Sequence, residues 1–379
     1  MKHSAWATAA LAVSATLVVA ACGSSTSSAS SSNSSSAAGA SASSTGTAAA
    51  TGKFTGCMVS DTGGVDDRSF NAAAWAGMQA AVAANSNITV KFSTSTSTSD
   101  YTPIISTFLS QKCNIIVTLG FAMGDATKAA ATANPSQKFS IVDNSYSPTL
   151  PNVDALVFNT VQDAFLGGYL AAGMSKTGKV ATFGGQEFPT VTIYMDGYWD
   201  GVQYYNQKHG THVQVLGWDE KTQKGSFTGD FTNQTKGQTL TQTFISEGAD
   251  IIFPVAGNVG LGAAKAVQQA DVAAGSQKVN MEWVDLDGCV SAAAYCKYFI
   301  TSVLKGETLA VKVAVQAAAG GSFKGGNYIG TLANGGVSLA PFHDWDSKVP
   351  AALKSELQQI STGIQDGSIQ TATKSPVSG

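Results

Sequence analysis

The chain has 379 residues, a formal net charge of −3 and only 12% charged residues, so its solvated surface must be built largely from Ser, Thr, Asn and Gln. Arg68 is the sole arginine and no basic cluster occurs, which argues against nucleic acid and against phosphate-bearing ligands. The length beyond the first fifty residues is too great for most single cores and fits two lobes.

The start reads as an export signal: Lys2, an apolar run over residues 5–21, then small residues at Val19-Ala20-Ala21 directly before Cys22 and Gly23. That pattern predicts a bacterial lipoprotein site, with residues 1–21 removed and the Cys22 thiol acylated. Residues 22–52 are almost entirely Ser, Ala, Thr and Gly, a composition expected to act as a flexible tether. The expected location is the extracytoplasmic face of the cell membrane, held by lipid, since no later run is long enough to span a bilayer. Four cysteines remain in the body, an even number that suits an oxidising compartment. Sequence alone leaves three pairings open. Closeness in the chain favours Cys289 with Cys296, leaving Cys57 and Cys113 at the starts of two apolar strands.

Along the body, short apolar runs alternate with helical patterns, the signature of parallel sheets with crossover helices. Strands are predicted over 56–60, 89–92, 114–119, 139–142, 155–158, 179–183, 212–216, 251–255 and 281–284. Helices are predicted over 71–84, with Asp67 or Ser69 as its cap, and over 101–111, 125–133, 163–175, 197–208, 236–247, 260–269 and 351–366. The expected fold is α/β, with two Rossmann-like lobes and a ligand cleft between them. The first lobe is expected to hold 53–158 and 288–318, the second 159–287 and 319–379.

Ligands of open α/β sheets bind outside the carboxyl ends of the strands. The residues just past those ends are Asp61, Phe121, Asp143, Gly257 with Asn258, and Asp285. No nucleophile elbow, H-E-x-x-H or phosphate loop is present, and the four histidines lack metal-ligand spacing. The glycine order over residues 257–262 does not fit a dinucleotide loop. The chain is therefore expected to be no enzyme and to use no cofactor and no metal.

One segment carries more. Asp61-Thr-Gly-Gly-Val-Asp-Asp-Arg-Ser-Phe-Asn71 joins the first strand to the first long helix. With Ile141-Val-Asp143, Phe165-Leu-Gly-Gly-Tyr-Leu-Ala-Ala172, Gly229-Asp-Phe231, Lys236-Gly237, Gly248-Ala-Asp-Ile-Ile252 and Thr301-Ser-Val-Leu-Lys305, it resembles the basic membrane lipoprotein family, which has a type I periplasmic-binding-protein fold. The resemblance implies a receptor for purine nucleosides that serves an ABC importer, with permease and ATPase subunits as partners, and a monomer. It implies Phe70 and Phe231 on the faces of the base, Asp143 and Asn71 at its edge, and Asp285 and Lys305 with Gly257 at the ribose. Phe227, in a competing Gly-Ser-Phe, is the rival for the stacking role. Alternative ligands are a sugar or another small polar molecule, and the alternative role is a surface receptor without transport.

Overall fold

The computed structural model describes residues 53–375 and 377; the export signal, Cys22 and the tether lie outside the described residues. In the first lobe, β1 (Phe54–Ser60), α1 (Phe70–Ala84), β2 (Ile88–Thr94), α2 (Tyr101–Ser110), β3 (Ile115–Leu119), α3 (Gly124–Ala133), β4 (Lys138–Val142) and β5 (Val153–Phe158) follow in order. β3 is buried at every position, as expected for a continuous apolar run covered on both faces. The second lobe begins with α4 (Val161–Met174), β6 (Lys179–Gly184), α5 (Pro189–His209), β7 (Gln214–Leu216) and the short hairpin β8 (Trp218–Asp219) and β9 (Lys224–Gly225). It continues through α6 (Gln234–Ser246), β10 (Ile251–Val255), α7 (Val259–Ala274), β11 (Asn280–Asp285), α8 (Gly288–Ser291) and β12 (Phe299–Lys305). The chain then returns to the first lobe for α9 (Glu307–Ala319) and β13 (Gly326–Gly330). It ends in the second with β14 (Val337–Leu339) and α10 (Ala351–Asp366).

Each lobe has a six-stranded sheet, ordered β13-β5-β4-β3-β1-β2 in the first and β14-β12-β11-β10-β6-β7 in the second. All pairings in them are parallel except that of β14 with β12. Helices cover both faces of both sheets, with α1 and α9 on one side of the first and α2 and α3 on the other. The two-lobed α/β architecture expected from the alternation is the one observed.

Lobe membership differs from expectation near the end of the chain. β12 belongs to the second sheet, in parallel register with β11, so residues 288–305 lie in the second lobe. The crossing back comes at Lys305–Glu307, and residues 319–330 stay with the first lobe. β12 escaped notice because Thr301 and Ser302 interrupt its apolar run. Both are satisfied inside the protein: the Thr301 hydroxyl donates to the Ala340 carbonyl at 2.8 Å, and Ser302 Oγ accepts from the Gly288 N–H at 2.9 Å.

α5 also starts earlier than expected, at Pro189 rather than residue 197. Its first turns are β-branched and aromatic, which weakens helical propensity, but burial against α4 overrides it. The two helices approach closely at Gly168 and Gly201, where an added Cβ would run into the carbonyls of Tyr198 and Phe165 respectively.

Both disulfides form, Cys57 with Cys113 and Cys289 with Cys296, with Cα separations of 6.0 and 4.4 Å. The C-terminal segment is stitched to α5 through buried Asp196. Its carboxylate accepts from Trp218 Nε1 at 3.0 Å, Gln223 Nε2 at 2.7 Å, Thr373 Oγ1 at 2.7 Å and the Lys374 N–H at 3.2 Å. One turn on, Asp200 is pushed up to about 7, first by burial and then by Glu220 and Asp196, with a backbone hydrogen bond at Ala372 opposing. A raised carboxyl gives stability that is present below its ordinary value of 3.8 and lost as pH rises through about 7. Asp200→Asn will therefore melt above the parent at pH 8, and the gap will shrink at pH 5. Equal melting points at pH 8 would count against this.

Candidate functional site

The carboxyl ends of the strands of both sheets converge on one cleft. β1 delivers Asp61, β3 delivers Gly120 and Phe121, β4 delivers Asp143, β10 delivers Val255 and Gly257, β11 ends on Asp285 and β12 on Lys305, and all line it. Phe70, Asn71 and Phe231 line it too. The cavity between these side chains measures about 70 Å³, so a ligand larger than a few waters enters only if the lobes part.

The loop between β1 and α1 is held by Asp67. Its carboxylate accepts from the N–H groups of Ser69 at 3.1 Å, Asn71 at 2.8 Å and Ala72 at 2.9 Å, and from Asn71 Nδ2 at 3.0 Å. That carboxylate caps α1 in place of Ser69, whose side chain makes no cap bond. Asn71 Oδ1 then accepts from the Asp61 N–H at 2.9 Å. Asp61 Oδ1 accepts from the Tyr101 hydroxyl at 2.5 Å and from the Thr62 N–H at 2.7 Å. Burial raises the Asp61 carboxyl, with those two donors opposing. Gly120, at φ +95°, lets β3 pass Asp61 where an added Cβ would lie 2.6 Å from its Oδ2.

Lys305 is the centre of charge. Its ammonium lies 2.6 Å from Asp143 Oδ2 in the first lobe and 3.7 Å from Asp285 Oδ1 in the second. It also sits 5.0 Å from the centre of the Phe70 ring and 5.5 Å from that of Tyr194, within cation–π range. Burial alone would lower the lysine, but Asp143 and Asp285 outweigh it and hold it above its usual range. Two more buried carboxyls, Asp163 and Glu307, are driven well above the ordinary range by burial, with Lys305 opposing.

Asp143 and Asp285 share an unusual backbone, with φ of 63° and 65°. Both sit where a strand of one lobe ends at the cleft. The left-handed region admits Asp, Asn and Gly far more readily than other residues. This turn aims each carboxylate into the cleft rather than along the sheet.

The aromatic wall joins the lobes: Phe121 meets Phe188 at 5.6 Å between ring centres, and Phe188 meets Phe231 at 6.2 Å. Phe231 rests against Gly185, where a Cβ would collide with its ring. Its turn is fixed by Asp230, which accepts from the N–H groups of Thr232 and Asn233 and from Lys236 Nζ at 2.7 Å. Phe227 does not line the cleft. It packs edge-on to Trp218 at 6.0 Å and against Gly184.

One expected residue falls outside. Asn258 sits at the N-terminus of α7, with its side chain 3.0 Å from Gln234 Nε2, and does not line the cleft. Phe188, just before α5, and Thr190, Val191 and Tyr194 of α5 line it and were not expected. The missed signal was Pro189, which marks a helix start eight residues earlier than the pattern suggested.

A cleft between two α/β lobes, walled by rings and by paired charges at the strand ends, defines a solute-binding protein. The chain belongs to the family described as ABC transporter substrate-binding protein PnrA-like, whose model matches residues 54–376. It is 29% identical to the ABC transporter nucleoside-binding protein BmpA of Lactococcus lactis subsp. cremoris, over 84% of this chain and 88% of that one. It is 31% identical to the CD4+ T-cell-stimulating antigen of Listeria monocytogenes, over 85% and 88%. The fold matches a solved ABC transporter solute-binding protein from Aeropyrum pernix K1, with a TM-score of 0.77 and 24% identity, over 85% and 94% of the two chains. The chain is thus an extracytoplasmic substrate-binding protein rather than an enzyme. Among the described residues no helix is long and apolar enough to cross a membrane.

Proposed function

We propose that the cleft binds purine nucleosides and delivers them to an ABC permease. The observation that carries this reading is the pairing of flat apolar faces with polar acceptors in one cleft. Phe70 and Phe231 offer ring faces to a base, Asp143 an acceptor for its N–H groups, and Asp285 with Lys305 partners for vicinal hydroxyls. The nucleoside-binding name of the Lactococcus relative supports the same ligand class. Phosphates would meet carboxylates with no arginine to offset them, since the only arginine, Arg68, is exposed and outside the cleft.

Stacking contributes roughly 1–3 kcal/mol per base by analogy with nucleic-acid proteins. Leaving Asp285 and Lys305 without hydroxyl partners costs a free base about 1–3 kcal/mol more. Calorimetry should therefore show adenosine, guanosine or inosine binding well above free bases and nucleotides. Phe70→Ala should weaken nucleoside and base alike, whereas Asp285→Ala should erode the preference between them. Binding of a sugar with no nucleoside binding would overturn the ligand assignment.

The anchor belongs to the same proposal: acylated Cys22 would hold the protein at the outer face of the membrane. Mass spectrometry of the mature protein should find an N-terminus at Cys22 that carries lipid. An unmodified N-terminus elsewhere would exclude it.

A further inference from the structure

The loop that presents Phe70 and Asn71 does more than line its own side of the cleft. Ser69 stands at the N-cap of α1, where a serine hydroxyl usually accepts from its own helix. Here Asp67 has taken over that role, and the Ser69 hydroxyl is turned across to the other lobe. It donates to Asp285 Oδ2 at 2.6 Å and lies 3.3 Å from the Val284 carbonyl. One residue earlier the Arg68 carbonyl, at φ 62°, accepts from Trp283 Nε1 at 3.1 Å. Ser69 and Trp283 are fully buried. Two consecutive residues of the first lobe are thus bonded to β11 of the second.

We propose that Ser69 is a positioning residue, which completes the hydroxyl-recognising carboxylate of the opposite lobe only when the lobes are closed. From its own lobe, among the described residues, Asp285 receives the Tyr194 hydroxyl on Oδ1 at 2.9 Å, with the Lys305 ammonium 3.7 Å from that same oxygen. Both of these partners face Oδ1, so with them alone the carboxylate can pivot about that oxygen. Ser69 pins Oδ2, so both oxygens then offer their remaining lone pairs in fixed directions. Trp283 holds the loop in register while this happens. Recognition of ligand hydroxyls and closure of the cleft become one event, and a ligand without those hydroxyls gains little from the pinned carboxylate. The inference rests on the reading that Asp285 meets ligand hydroxyls.

The test uses the whole body with Ser69→Ala, Ser69→Thr and Trp283→Phe, and inosine with hypoxanthine as probes. In Ser69→Ala, inosine affinity should fall about tenfold or more, the scale of a hydrogen bond to a charged group, while hypoxanthine affinity stays within about twofold. A serine of purely structural importance would weaken both ligands alike. Ser69→Thr keeps the hydroxyl and should restore most of the selectivity. Small-angle scattering without ligand supplies a readout that does not depend on nucleoside binding: Ser69→Ala and Trp283→Phe should each be more expanded than the parent. If the parent binds no nucleoside, the ligand reading fails, and scattering still judges the cross-lobe bonds. A folded Ser69→Ala with the parent's radius and the parent's selectivity overturns the proposal. Should Ser69→Ala not fold, an unchanged radius in Trp283→Phe does the same.

Discussion

Lys305→Met will lower stability by about 3–5 kcal/mol, the cost of stripping one partner from a buried ion pair, and will remove ligand binding with it. Lys305 is only 5% exposed and its ammonium serves Asp143 and Asp285 together, so its loss strands two carboxylates from opposite lobes in one cleft. Methionine fills much of the volume, which isolates the charge effect from a cavity effect. The variant should also respond more steeply to pH. Burial already raises the Asp143 carboxyl, and without the lysine the charge that opposes that rise is gone. Carboxyls raised in this way favour the fold below their unfolded values, and that support drains away as pH rises through their folded values. The deficit against the parent should therefore be largest near pH 8 and smallest near pH 5. Urea denaturation at the two pH values measures it, and a deficit below about 1 kcal/mol at pH 8 would show that the pair contributes no more than a surface one.

Replacing Cys57 and Cys113 together by alanine will cost about 4 kcal/mol, against about 2 kcal/mol for Cys289 and Cys296. The difference follows from loop length: the first bridge spans 56 residues and the second 7. Cys57 and Cys113 are also almost fully buried, on the side of the first sheet covered by α2 and α3. Their replacement therefore adds a packing loss to the entropic one. Denaturant midpoints of the two double variants test the ranking, and a larger loss from the 289–296 pair would contradict it.

The parts of the cleft that could be read from sequence are those fixed by strand geometry. A strand end points at the cleft whatever the rest of the molecule does, so Asp61, Phe121, Asp143 and Asp285 followed from finding the apolar runs. Phe231 followed only from the family resemblance, and the structure shows what its Gly229-Asp-Phe231 and Lys236-Gly237 do together: Lys236 closes the turn on Asp230. What could not be read depends on tertiary burial. The first turns of α5 look strand-like, so Thr190 and Tyr194 were hidden in a helix that local propensity disfavours, and Phe188 just before it went with them. Thr301 and Ser302 disguised β12 because their partners, Ala340 and Gly288, are distant in sequence. Asn258 misled for the opposite reason: it follows a strand end, but its side chain serves Gln234. Ser69 looked like an ordinary cap, and only the position of Asp285 in the other lobe reveals where its hydroxyl goes.

The left-handed backbone at Asp143 and Asp285 narrows the vocabulary available at both positions. Bulky or β-branched side chains are excluded by the main chain before any ligand is considered. Glycine fits the turn but carries no polar group. Asparagine remains, of the same shape and differing from aspartate by one atom at the tip. A change of ligand chemistry at these two places therefore runs through a single exchange of oxygen for nitrogen, which turns an acceptor into a donor while keeping the side chain's shape and the turn that holds it. Diversification of this cleft is steered toward altered hydrogen-bond polarity and away from altered size.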